Sequence, residues 1–228
     1  MSSRSIPGST ENNKIYNGME HLILCEGIDA WKFIVNFLNS DAMSIYPDFS
    51  RTIQVENFGG NNQLQTKLQL WTRSPGFEHI RSLIIIRDAE SDAVKAIHSI
   101  IRDMKKVGLP VPNGPQQLAK DNNISTGFLL FPTLSSDLQN GAIEDLCLTI
   151  LKETELSTIE EIDDFLESLK QKDLRKFPRI FKTRLHTYFS VTDKYVSLKI
   201  GEAADAGAFD WGSVKLTPLR DFLLQFIE

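Results

Sequence analysis

Three short segments carry carboxylates at a spacing that could do metal chemistry. The first is Leu22-Ile-Leu-Cys-Glu26-Gly-Ile-Asp29 and the second is Leu83-Ile-Ile-Ile-Arg-Asp88-Ala-Glu90-Ser-Asp92; the third is Gly141-Ala-Ile-Glu144-Asp145-Leu-Cys. In the first two, the acids directly follow a run of Leu and Ile. Such a run reads as a strand buried on both faces of a parallel sheet, and residues at its C-terminal end face the crevice where open α/β sheets hold their ligands. Magnesium takes hard oxygen ligands, usually one or two carboxylates with water and phosphate oxygens completing the shell. A small acidic cluster open to substrate is therefore what a phosphodiester-cleaving centre requires.

Within these segments the residues divide by role. Gly27 permits a tight strand-to-helix turn behind Glu26. Asp88 and Glu90 are two apart in an extended stretch, so they point the same way and can reach one ion together. Asp92 is placed either to join them or simply to cap the following helix. Glu144 and Asp145 are either further ligands, Glu144 ahead of Asp145, or plain complements to a helix N-terminus.

The elements that must position these acids follow from the hydrophobic pattern. Strands are predicted over about His21–Cys25, Thr52–Glu56, Ser82–Arg87 and Gly127–Phe131. Between them lie a helix beginning at Asp29 as N-cap, one from Asn62 to Trp71, and one with Val94, Ile97, Ile101 and Met104 on a single face and Gly108 as its stop. A further helix begins near Ala142. The alternation predicts a mostly parallel, doubly wound sheet of about four strands over residues 20–152. In such a sheet the first and third strands become neighbours, so Glu26 and Asp88 should flank one crevice.

After about Lys152 the pattern turns helical. Ser157-Thr-Ile-Glu160 is a capping-box signature, and helices are expected from there to about Leu169, from Pro178 to Phe189 and from Pro218 to Ile227. Residues 153–228 thus read as a helical C-terminal extension, and residues 1–19 as a polar, disordered leader without a signal peptide's apolar middle.

The order strand, Glu-Gly-x-Asp, helix, then strand, Asp-x-Glu-x-Asp, helix resembles the Toprim superfamily, above all its stand-alone members and the OLD-type nucleases. A Gly-x-x-Glu-Asp-Leu turn, a Gly-Glu-Ala-Ala segment at Gly201–Ala204 and a terminal Leu-Arg-Asp-Phe-Leu helix extend the resemblance from about residue 20 to the C-terminus. Glu90 departs from the usual Toprim Asp-x-Asp. The resemblance implies a Toprim-like α/β fold and a nuclease dependent on Mg²⁺ or Mn²⁺ that cleaves DNA or RNA. In it Glu26, Asp88 and Glu90 act as catalytic groups, and these three with Asp92, Glu144 and Asp145 supply the metal ligands. It also implies a defence or toxin-like setting beside a separate ABC-type ATPase. The competing reading is a catalytically silent Toprim-like module that binds a protein or nucleic-acid partner.

Composition narrows the alternatives. The 228 residues carry a formal net charge of −5, which argues against a surface that binds nucleic acid everywhere. A local basic stretch from Lys170 to Arg184 can still track phosphates, with Lys176, Arg179 and Lys182 as the expected contacts, or it can be a solvated face paired with the acidic helix before it. No GxGxxG or GxxxxGK is present, so no nucleotide-triphosphate fingerprint is seen. Gly59-Gly60 before a helix reads as an ordinary turn. A HAD-type phosphotransfer site fits poorly, because Asp88-Ala-Glu-Ser lacks the order Asp-x-Asp-x-Thr. Cys25 and Cys147 show no CxxC spacing and read as reduced core residues of a cytoplasmic protein. No run approaches the roughly 20 apolar residues of a membrane span, and a homodimer is compatible with the reading.

Overall fold

The computed structural model describes residues 15–44, 51–121, 123–133, 137–172 and 176–226. The leader up to residue 14 and the expected end of the last helix at Ile227 lie outside the described residues.

Five strands form one sheet: β1 (His21–Glu26), β2 (Ile53–Gly59), β3 (Ser82–Asp88), β4 (Leu118–Lys120) and β5 (Ser125–Phe131). Their order is β2-β1-β3-β5-β4, with β4 alone running antiparallel, at one edge. The first and third strands are therefore adjacent, as the alternation predicts. β4 was not expected, because three residues that are largely exposed and pair only with β5 leave no hydrophobic alternation to read.

The described helices are α1 (Gly27–Asn39), α2 (Leu64–Trp71), α3 (Ala93–Lys106), α4 (Ile143–Leu151), α5 (Leu156–Gln171), α6 (Ile180–Val191), α7 (Ile200–Asp205) and α8 (Thr217–Leu224). Alternation along the strands divides the core. Ile23, Cys25, Ile84 and Ile86 face α1, α4 and the C-terminal helices, whereas Leu22, Leu24, Leu83 and Ile85 face α2 and α3. The first of these layers runs unbroken from β1 to Phe226, so the C-terminal helices share a core with the sheet.

Local expectations shift in three places. Helix α1 starts at Gly27, which takes φ 78°, so Asp29 lies in the first turn and its Oδ1 accepts from the Gly201 amide of α7 at 3.0 Å. In α3 the buried face is Ala93, Ala96, Ile100 and Met104, with Val94 exposed, because small residues let the helix sit close on the sheet. Helix α5 begins at Leu156 without a side-chain cap, which places Ser157 inside the helix and leaves the expected capping box unformed.

The Gly201-Glu-Ala-Ala segment, which sequence reasoning left without a physical role, is helix α7 packed tightly on α1. A Cβ at Gly201 would fall 2.4 Å from a Lys32 side-chain carbon. Asp205 closes the contact, accepting from Lys32 Nζ at 2.9 Å and Asn36 Nδ2 at 2.8 Å.

Candidate functional site

Adjacent strands β1 and β3 end in Glu26 and Asp88, at the crest of the sheet. The chain after β3 is pinned by backbone pairing. Ala89 donates to the Phe131 carbonyl at 2.9 Å, and Glu90 and Gly141 exchange both amide–carbonyl bonds at 2.7 Å. Glu90 takes φ 55° and Gly141 takes φ 135°, backbone conformations that place the two loops against each other. Through this bridge the start of α4 reaches the end of β3, and the Ile143 amide donates to Asp88 Oδ1 at 3.0 Å.

Four of the expected acids, Glu26, Asp88, Glu90 and Glu144, converge here. Burial and then the Glu144 charge push the Asp88 carboxyl well above the ordinary carboxylate range; the Ile143 amide opposes this, and the charges of Glu26 and Glu90 add to it. Glu26 is also raised by burial, against the pull of Arg87, with Glu90 raising it further. These mutual effects are what carboxylates sharing a poorly hydrated site produce.

Two cations enter the cluster, and neither role was expected from the sequence. Arg87 Nε lies 3.2 Å from Glu26 Oε2, with side chains 5% and 12% exposed. Nη1 of Arg87 is buried without a hydrogen-bond partner among the described residues. On the other face of the sheet, Lys182 Nζ of α6 lies 3.1 Å from Glu144 Oε1, and Glu144 Oε2 is buried without a partner. A signal for Arg87 was present in the sequence: a guanidinium at the end of a Leu-Ile-Ile-Ile run must be buried, and a buried charge needs a counter-charge.

The remaining expected residues lie apart from this cluster. Asp92 is the N-cap of α3: its carboxylate accepts from the Lys95 amide at 3.0 Å and meets Lys95 Nζ at 2.8 Å, and these bonds hold its carboxyl below the ordinary range. Asp145 accepts from the Ala142 amide at 3.0 Å and closes the first turn of its own helix. Lys176 and Arg179 are exposed. Lys182, also expected to contact phosphates, meets Glu144.

Both cysteines are buried, and burial pushes both thiols up, so neither supplies a thiolate nucleophile. The oxygen donors at the crest suit a hard divalent cation in kind, and Glu144 Oε2 is a buried acceptor without a hydrogen-bond donor among the described residues. Among the described residues, however, no group of three or more His, Cys, Asp or Glu is spaced to hold a metal ion. Arg87, the Ile143 amide and Lys182 engage Glu26, Asp88 and Glu144 instead.

A family model described as "Protein of unknown function (DUF3226)" matches residues 20–228. The chain belongs to the DUF3226 family. The DUF3226 match takes in the sheet, the acids at its crest and the helix that supplies Lys182. No curated protein and no solved structure matches the chain. No helix among the described residues is long and apolar enough to cross a membrane.

Proposed function

We propose that this protein is a Toprim-like, metal-dependent nuclease that cleaves phosphodiester bonds of DNA or RNA in the cytoplasm. The observation that carries the reading is the convergence of Glu26, Asp88, Glu90 and Glu144 at the ends of the adjacent strands β1 and β3. Clustered carboxylates raise one another's pKa, and a divalent cation relieves that repulsion. Bound there, Mg²⁺ or Mn²⁺ would supply Lewis acidity and an activated water. As they stand, Glu26, Asp88, Glu90 and Glu144 are not spaced to hold the ion, and on this reading they would close around it on binding. Asp88, kept proton-avid by burial, can hold a proton at its carboxylate, while the Ile143 amide orients that group. Gly141 and Glu90 fix the two loops that carry these side chains. A separate ABC-type ATPase and a second copy of the chain are proposed as partners on the Toprim resemblance alone.

The test is cleavage of DNA and of tRNA by the purified protein with Mg²⁺ or Mn²⁺, beside Glu26→Ala and Asp88→Asn. Metal-dependent cleavage lost in both variants is the expected result. A second reading, a catalytically silent module, is favoured by one observation: Glu26, Asp88 and Glu144 already have protein partners. No cleavage of either substrate, with a melting temperature unmoved by millimolar Mg²⁺ and Mn²⁺, would favour the module over the nuclease.

A further inference from the structure

We propose that the cavity on the α3 side of the crest is a phosphate-binding site anchored by the Arg87 guanidinium, and that it holds a backbone phosphate of a nucleic-acid strand. The cavity measures about 390 Å³ and lies among Arg87, Asn62 of the turn after β2, Ser91, and Lys95, Ser99 and Arg102 of α3. That volume lies in the range of small-ligand sites. Its position outside the C-terminal ends of β2 and β3 is where open α/β sheets receive ligands.

Arg87 is the residue that points to a ligand. Its side chain is 5% exposed; Nε faces Glu26 Oε2 at 3.2 Å, while Nη1 is buried with no hydrogen-bond acceptor among the described residues. Unmet donors on a buried guanidinium are costly, and a planar fork of N–H groups matches the oxygens of a phosphate. Three other charged groups of the wall, Asp92, Lys95 and Arg102, already have partners. Asp92 is engaged with Lys95, and Arg102 donates to Asp103 Oδ1 at 2.9 Å and to Ser99 Oγ at 3.1 Å.

The start of α3 does not account for the site by itself. The amides of Ala93 and Lys95 are taken by Asn140 Oδ1 and Asp92 Oδ1. A phosphate must therefore be recognised by Arg87, assisted by the hydroxyls and amide of Ser91, Ser99 and Asn62. Glu90 lies on the same wall, so an anion bound here sits beside the acids of the crest. The choice of a nucleic-acid phosphate rests on the nuclease reading above; the oxyanion site itself needs no metal.

The experiment is binding without metal, in EDTA. A fluorescent single-stranded octanucleotide is titrated with the full-length protein and followed by anisotropy, and inorganic phosphate and acetate are added as competitors. Wild type should bind the octanucleotide, phosphate should displace it, and acetate at equal ionic strength should not. Arg87→Lys keeps a cation beside Glu26 but loses the fork, and Ser99→Trp fills the cavity from α3 while leaving residue 87 an arginine. Each should weaken binding at least tenfold with the circular dichroism of wild type. If Arg87→Lys does not fold, Ser99→Trp decides alone. Wild-type affinity in folded Ser99→Trp, or displacement by acetate as readily as by phosphate, overturns the site. Metal-dependent cleavage with unchanged binding in Ser99→Trp defeats this site and leaves the nuclease standing. Phosphate-sensitive binding lost in Ser99→Trp, with no cleavage under any metal, defeats the nuclease and leaves the site.

Discussion

The two faces of the sheet carry the same kind of contact, a buried carboxylate against a cation, built in different ways. On the α2/α3 face, Glu26 and Arg87 come from neighbouring strands β1 and β3, and both are almost fully buried. On the α1/α4 face, Glu144 is equally buried, but its cation is Lys182, 38% exposed and delivered by a helix beyond the α/β core. The first pair forms whenever β1 and β3 pair; the second requires the C-terminal helices to dock. Asp88 stands between them, its protonation raised from both sides by Glu144 and Glu26. One half of the acidic crest is thus intrinsic to the sheet, and the other half depends on the C-terminal helices.

The largest expected effect is on the intrinsic pair. Arg87→Met strands Glu26 at a nearly dry position, and removing one member of a buried pair costs about 3–5 kcal/mol. Urea unfolding should show a lower midpoint at an unchanged slope. Lys182→Met should cost less, roughly 2 kcal/mol, because solvent reaches the lysine and screens the pair. The double variant Lys182→Met/Glu144→Leu should recover most of that loss, since the stranded charge is gone. Equal losses in the two single variants would remove the distinction between the faces.

Asp88→Asn tests the group shared by both. A carboxyl raised in the folded state binds its proton more tightly there than in the unfolded chain. It therefore destabilises the fold as pH rises from the ordinary carboxylate range through its raised native value. Asn keeps an acceptor for the Ile143 amide and removes the charge. The variant should be more stable than wild type at pH 8, with a higher melting temperature. The gap should narrow toward pH 4. A gap that widens on acidification would contradict the raised protonation of Asp88.

Asp92→Ala provides the control outside the cluster. It removes a helix cap and should lower the melting temperature modestly without changing how that temperature responds to Mg²⁺. The smallest effect on stability, within about 0.5 kcal/mol, is expected for Lys176→Glu/Arg179→Glu, which alters exposed side chains alone. If these residues track phosphates, that variant should weaken nucleic-acid binding and flatten its salt dependence. Lys182 is left out of this variant because its replacement would also change the pair with Glu144.

The hydrophobic runs determined the parallel strands, because buried parallel strands and the helices between them leave strong periodic signals; the adjacency of β1 and β3 was an expectation of the doubly wound pattern, and the sheet order decided it. The runs also determined that Glu26 and Asp88 end their strands, since a strand's last residue sits at the crest whatever covers its faces. Asp92 as the cap of α3 was legible for a similarly local reason: the cap bond spans three residues. Only the tertiary structure decided which groups answer those charges. The Ile143 amide meets Asp88 across 55 positions of chain, the Lys182 ammonium meets Glu144 across the junction with the C-terminal helices, and Gly201 lets α7 lie against α1. A counter-ion for a buried carboxylate is chosen by proximity in space, and a residue's type and its near neighbours in sequence do not encode how distant helices dock.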